Sequence, residues 1–279
     1  MSSSTVFWLD GALASALPLP DRGLDFGDGL FETLLLRHGE PLFVELHMQR
    51  LKRGLELLGF PDCLDRVASE LAQSADATAG RGWPWSALRL TITRGAGPRG
   101  YAAPPHPRPR IVITATQLER DCARQSQAAR LGVARIRWAA QPVLAGIKHL
   151  NRLEQVLAAN ECRSLGFDEL VMLAQSGHAV SVTAGNLFLL REGQLLTPAL
   201  RDSGIAGTRR RLVMERWAPA IGLRAVECDL KVADVEVADE VFYSSSLLGI
   251  RPVASLGARR WAQHGVCEAL HQQYLSELP

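Results

Sequence analysis

The chain has 279 residues, 47% of them hydrophobic and 22% charged, with a formal net charge of +2. That length suffices for one large domain or two ordinary ones. So small a charge excludes the basic surface of a nucleic-acid or membrane-surface binder and leaves a small molecule as the expected partner.

The opening MSSSTVFWLDGALASALPLP has no basic segment followed by a sustained apolar run, and nothing later is apolar for long enough to cross a bilayer. The expected location is therefore the cytoplasm. TVFWLDGAL carries an Asp-Gly turn signal, and LFETLLLRHGEPLFV reads as a hairpin around His38, Gly39 and Glu40. From His47 to Leu58 the residues Met48, Leu51, Leu55 and Leu58 keep helical spacing, and Gly59 ends the helix. SALRLTITRG and RPRIVITATQ follow as two strands, which makes the first third a sheet with helical cover.

Between those strands lies GAGPRGYAAPPHPRP, whose five prolines exclude regular structure and whose length exceeds a hairpin turn. Such loops often carry function. The polar run at 117–129 has few apolar anchors and reads as an interdomain linker, separating a small domain at 1–116 from a larger one at 130–279. In the second part LGVARIRWAA is an expected strand, and Leu150, Leu153, Val156 and Leu157 open an amphipathic helix that Gly166 closes. Further strands are expected at NLFLL, QLLTP, AVECDL and EVFYSSS, with helices over about Thr208 to Trp217 and the last dozen residues.

Two residue types narrow the chemistry. The five cysteines, Cys63, Cys122, Cys162, Cys228 and Cys267, are odd in number, scattered and never form a CxxC, which argues against a disulfide framework or a metal site and for buried thiols. Lysine occurs only at Lys52, Lys148 and Lys231. Lys148 follows the apolar VLAGI and sits between a strand and a helix.

Four separated segments, taken together, resemble the class IV aminotransferase-like family that binds pyridoxal 5′-phosphate on fold type IV. They are DRGLDFGDGLFET at 21–33, ELHMQRL at 45–51, GIKHLNRLEQVLAANE at 146–161, and the pair TAGNLFLL and SSSLLGIRPV. The third is similar to the lysine segment of aminodeoxychorismate lyases in particular. The resemblance implies an α+β, two-domain branched-chain aminotransferase-like architecture with the cofactor between the domains, and a homodimer.

It further implies that Lys148 condenses with the cofactor aldehyde, a task that needs an amine deprotonated often enough to attack a carbonyl. Arg50 matches the arginine on the cofactor phosphate, where a guanidinium forms two charge-assisted hydrogen bonds. Gly207, Thr208 and Arg209 resemble the turn that presents backbone N–H groups to the phosphate at a helix start, and Ser245 with Ser246 the hydroxyls opposite. Phe26 is implied to border the substrate. Arg99 and Tyr101 in the Pro-rich loop are candidates for holding a dianionic substrate.

One position departs from the family. Members normally place a glutamate five residues before the asparagine of NLF, to keep the cofactor's ring nitrogen protonated; here that residue is Ser181. A hydroxyl cannot stabilise a positive ring as a carboxylate does, so the electron sink is weaker. Transamination suffers most from that change, whereas a lyase that ends by forming an aromatic ring suffers less. The resemblance of the lysine segment, which Ser181 reinforces, implies a carbon–oxygen lyase releasing 4-aminobenzoate and pyruvate from 4-amino-4-deoxychorismate, in folate biosynthesis. The alternatives are an aminotransferase for branched-chain or D-amino acids and a weakly active or inactive cofactor-binding relative.

Overall fold

A computed structural model describes residues 5–279. These form two compact units. The first runs to Asp121 and also holds Ile147–Asn151 and Pro279; the second comprises Cys122–Gly146 and Arg152–Leu278. Helices and strands are mixed in both, as expected for an α+β chain.

The first unit is built on a six-stranded sheet. Its strands are β1 (Thr5–Leu9), β2 (Ala12–Leu13), β3 (Gly29–Arg37), β4 (Glu40–Pro41), β5 (Trp85–Thr93) and β6 (Arg110–Gln117), in the order β2-β1-β6-β5-β3-β4. The short helix α1 (Arg22–Phe26) precedes β3, and α2 (Val44–Leu57) and α3 (Leu64–Ala79) lie between β4 and β5. Helix α3 is outside the elements expected above. Its signal is nonetheless present, because the buried Val67, Leu71, Ala75 and Thr78 recur every three or four residues.

Alternation along β3 sorts the sheet into two faces. Leu30, Leu34 and Leu36 are buried on the helix-covered face, where Gly54 of α2 meets Leu30 so closely that a Cβ there would stand 2.8 Å from its Cδ1. Leu88, Leu90 and Ile92 on β5 and Ile111, Ile113 and Ala115 on β6 complete this core. The opposite face carries Phe31, Thr33, Arg89, Thr91 and Thr114, placed together by the registers Thr33↔Arg89 and Arg89↔Thr114.

The second unit holds a nine-stranded sheet. Its members are β7 (Ala129–Trp138), β8 (Glu169–Ala174), β9 (Ala179–Val182), β10 (Asn186–Arg191), β11 (Gln194–Pro198), β12 (Ala225–Cys228), β13 (Glu240–Ser245), β14 (Gly249–Leu256) and β15 (Arg259–Arg260). The order is β12-β11-β10-β13-β14-β7-β8-β9, with β15 paired to β14. β8, β9 and β14 add to the expected strands. β8 is buried at every residue, and after Glu169 it reads as a continuous apolar run rather than an alternating one.

A helical run starts at α5 (Thr208–Leu212), passes through a wider π turn at Val213–Trp217 and ends in α6 (Ala218–Ala220); α7 (Val232–Glu236) and α8 (Gly265–Ser276) follow. Helix α4 (Leu153–Leu165) corrects the amphipathic reading. Its buried residues are the small Ala158 and Cys162, whereas Leu153, Val156 and Leu157 are exposed. Small side chains let the helix lie close over β7 and β8 against Ala134, Trp138, Leu170 and Met172, so the bulkier apolar row is turned outward. No described helix is long and apolar enough to cross a membrane.

Leu34 is fully buried at the centre of the first core. Leu34→Ala should cost about 2–5 kcal/mol through lost transfer energy and a residual cavity, read as a lower urea midpoint for the first unit.

Candidate active site around Lys148

Lys148 owes its position to backbone pairing. The segment Ile147–Asn151 lies along the N-terminal half of β3, on the side away from β5. The Phe31 N–H donates to the Lys148 carbonyl at 2.9 Å, and the Leu150 N–H donates to the Gly29 carbonyl at 3.0 Å. Leu30 and His149 stand opposite each other as an antiparallel bridge. Lys148 is therefore opposite Phe31, on the face away from the helices, and its Nζ lies 4.4 Å from the centre of the Phe31 ring.

Two further contacts fix the segment. Asn151 Nδ2 donates to the Gly27 carbonyl at 3.2 Å, and Gly27 has the left-handed φ of 66° that closes α1. A Cβ at Gly27 would also stand 2.6 Å from Asn151 Oδ1, so both the turn and the close approach call for glycine.

On the helix-covered face, one residue along, Glu32 forms a buried cluster with α2. His47 Nδ1 donates to its Oε2 at 2.6 Å, while Arg50 donates from Nε at 2.8 Å and from Nη2 at 2.5 Å. His47 and Arg50 are three residues apart and so share one side of the helix. Burial by itself would raise the Glu32 carboxyl; the Arg50 guanidinium and the hydrogen bonds from His47 and Arg50 outweigh it and bring it from an ordinary 4.5 to about 2. The motif at 21–33 gave no sign of this role for Glu32, since its partners lie in the next motif.

The other residues named for the first unit divide. Phe26 and Tyr101 come together with ring centres 5.5 Å apart, and Arg22 stacks on Phe26 at 4.8 Å. Arg22 also holds the Pro-rich loop, donating to the carbonyls of Gly100 at 3.0 Å and Tyr101 at 2.7 Å. Asp28 takes hydrogen bonds from Arg22 Nε at 2.9 Å and Arg94 Nε at 2.8 Å. Arg99 is exposed on that loop.

In the second unit, Gly207, Thr208 and Arg209 open α5, whose first turn has no side-chain cap. Thr208 Oγ1 and Ser246 Oγ are 3.3 Å apart, and Arg209 Nη2 donates to the Ser246 carbonyl at 3.3 Å. Arg209 is only 1% exposed. Ser245 Oγ instead accepts the Leu248 N–H at 3.2 Å. Gly207 is required sterically, because a Cβ would stand 2.0 Å from Asn186 Oδ1. A helix start, two adjacent hydroxyls and a buried guanidinium make a donor set suited to the oxygens of a phosphate. Ser181 lies elsewhere in this unit, buried on β9, where Trp138 Nε1 donates to its Oγ at 3.3 Å.

Because the Glu32 carboxyl lies below its ordinary value, its contribution to stability is full above about pH 4.5 and is lost as pH falls towards 2. On that difference the contribution is about 3 kcal/mol. Glu32→Gln should therefore flatten the acid limb of the stability curve, measured as urea midpoints at pH 6 and pH 3.

Residues 29–256 match the amino-transferase class IV family. The aminodeoxychorismate lyase of Vibrio harveyi is 34% identical over 257 residues, covering 91% of this chain and 92% of its own. The 4-amino-4-deoxychorismate lyase structure from Pseudomonas aeruginosa superposes with a TM-score of 0.89 and 38% identity, over 98% of this chain and 99% of that one. The branched-chain aminotransferase of Escherichia coli shares the fold, with a TM-score of 0.83 at 23% identity over 98% and 94% of the two chains. Members of this group depend on pyridoxal 5′-phosphate. The chain belongs to the class IV aminotransferase family and has its type IV fold.

Proposed function

We propose that this protein is a pyridoxal-phosphate-dependent lyase that converts 4-amino-4-deoxychorismate to 4-aminobenzoate and pyruvate, in the cytoplasm and on the route to folate. The observation that carries this reading is the near-full-length likeness to lyases of that name. The lysine held on the sheet beside Phe31 agrees with it.

When bound, the cofactor supplies an aldehyde for an amine and a ring that takes up electrons from the carbon beside that amine. The rest falls to the chain. Lys148 is the residue that would hold the aldehyde and yield it to the substrate's 4-amino group. The freed amine then takes the proton from the ring carbon bearing that group. The bond from the neighbouring ring carbon to the ether oxygen breaks and the ring becomes aromatic. Lys148 returns the proton to the methylene carbon of the departing enolpyruvyl group, which leaves as pyruvate.

Arg50 and the cluster of Gly207, Thr208, Arg209, Ser245 and Ser246 are our candidates for the phosphate. Glu32 and His47 orient Arg50. Phe26 and Tyr101 border the substrate, with Arg99 on the same loop. Ser181 is assigned to the ring nitrogen. Indole N–H only donates, so Trp138 makes Ser181 Oγ an acceptor and leaves its hydroxyl proton for another partner. A hydroxyl donor favours a neutral ring, which disfavours transamination more than a reaction driven by aromatisation.

Reduction of the holoenzyme with borohydride should leave the vitamin B6 adduct on Lys148, and Lys148→Ala should abolish both the adduct and joint release of 4-aminobenzoate and pyruvate in a coupled assay. An adduct elsewhere, or amino transfer to 2-oxoglutarate in place of lyase turnover, would overturn the assignment.

A homodimer is part of the same proposal. The exposed row Leu153, Val156 and Leu157 on α4 supports it, as a contiguous apolar strip of the kind that association covers. Light scattering should give a mass about twice 30.4 kDa, and Leu153→Asp with Leu157→Asp should lower it towards one chain.

A further inference from the structure

Arginine is the main cation of this chain, and most of the arginines around Lys148 are spoken for. Arg22 and Arg94 share Asp28, Arg50 is tied to Glu32, and Arg110 reaches Asp21 at 3.0 Å. Arg89 is different. It stands on β5 between Thr33 of β3 and Thr114 of β6, on the sheet face that also carries Phe31. Among the described residues it has no carboxylate or carbonyl partner, and its one polar contact is with the Phe31 ring, 4.0 Å from the guanidinium carbon.

The ring under Arg89 is the same ring that meets Lys148 at 4.4 Å. β3 runs between β5 and the Lys148 segment, so Phe31 has Arg89 on one flank and Lys148 on the other. Both cationic groups thus lie against one ring, the Lys148 Nζ 4.4 Å and the Arg89 guanidinium carbon 4.0 Å from its centre. A six-membered ring bearing an amine and a carboxylate in para positions has this layout, with the amine at the Lys148 end and the carboxylate at the Arg89 end.

Resting on the lyase reading above, we propose that Arg89 receives the ring carboxylate of the substrate, the one retained in the aromatic product. The residue is exposed as a whole, yet its guanidinium lies against the ring, and this loss of water holds its pKa below the ordinary arginine value. A carboxylate bound there would make good the lost hydration through a two-pronged contact. Arg89 stands on a central strand, fixed by pairing on both sides, and can set the depth at which the ring enters relative to Lys148. The second carboxylate of the substrate, which departs in pyruvate, needs a different cation.

Calorimetric titration of the holoenzyme with 4-aminobenzoate and with the neutral 4-aminobenzamide tests this. The native enzyme should prefer the carboxylate. Arg89→Gln should weaken 4-aminobenzoate roughly 10- to 100-fold, leave the amide nearly unchanged, and so erase the preference. Arg89→Lys, which keeps the charge without the fork, should lose less. The cofactor absorption band and the borohydride adduct on Lys148 should be unaltered in both variants. If the native enzyme forms 4-aminobenzoate while Arg89→Gln keeps the full preference for carboxylate, the Arg89 assignment alone is overturned. If the native holoenzyme forms no 4-aminobenzoate from 4-amino-4-deoxychorismate, the lyase reading falls and takes this assignment with it.

Discussion

The placement of Lys148 rests on the antiparallel pairing between Ile147–Asn151 and the start of β3, a few backbone hydrogen bonds that include Phe31 N–H to the Lys148 carbonyl. Side chains alternate along a strand, so a slip of one residue would move Lys148 to the helix-covered face and put His149 or Ile147 beside Phe31. The register is defended from several directions. Leu150 pairs with Gly29, Asn151 reaches Gly27, and Ile147 is fully buried. Gly29 itself has no room for a side chain, since a Cβ would stand 2.3 Å from the Ile92 carbonyl oxygen.

From that strand the charges of the first unit fall into order. The carboxylates at 21, 28 and 32 are neutralised locally: Asp21 accepts from Gly23 N–H at 2.8 Å and from Thr93 and Arg110, Asp28 binds two arginines, and Glu32 binds Arg50 and His47. Each is a pairing that offsets the cost of burying charge. Negative charge is thereby confined to the ends of β3 and the helix side, while the open face keeps Lys148 and Arg89. An anionic substrate meets a face whose carboxylates are already satisfied elsewhere.

Ser181 shows how one substitution can be absorbed without a loss of packing. It is buried on a strand whose neighbours are apolar, and its hydroxyl has the Trp138 N–H as a partner, so the position costs little despite its polarity. The same bond fixes which way the hydroxyl proton is free to point.

By itself the sequence determined the class of fold and singled out one lysine as the candidate for the cofactor. Alternating strands are legible at 29–37, 85–93 and 110–117, and with only three lysines the segment GIKHLN singles out Lys148. The chain order of the segments likewise indicated Arg50 and the Gly207–Arg209 turn. What it left open depended on side chains distant in sequence. The partners of Glu32 lie in the next motif, the apolar row of α4 faces outward because only the direction of its small residues decides which side is buried, and β8 escapes alternation because both its faces are covered. Arg89 is the plainest case. In the sequence it is one arginine of many in an apolar strand, and only the pairing of β5, β3 and the Lys148 segment places it on the same aromatic ring as the Lys148 amine.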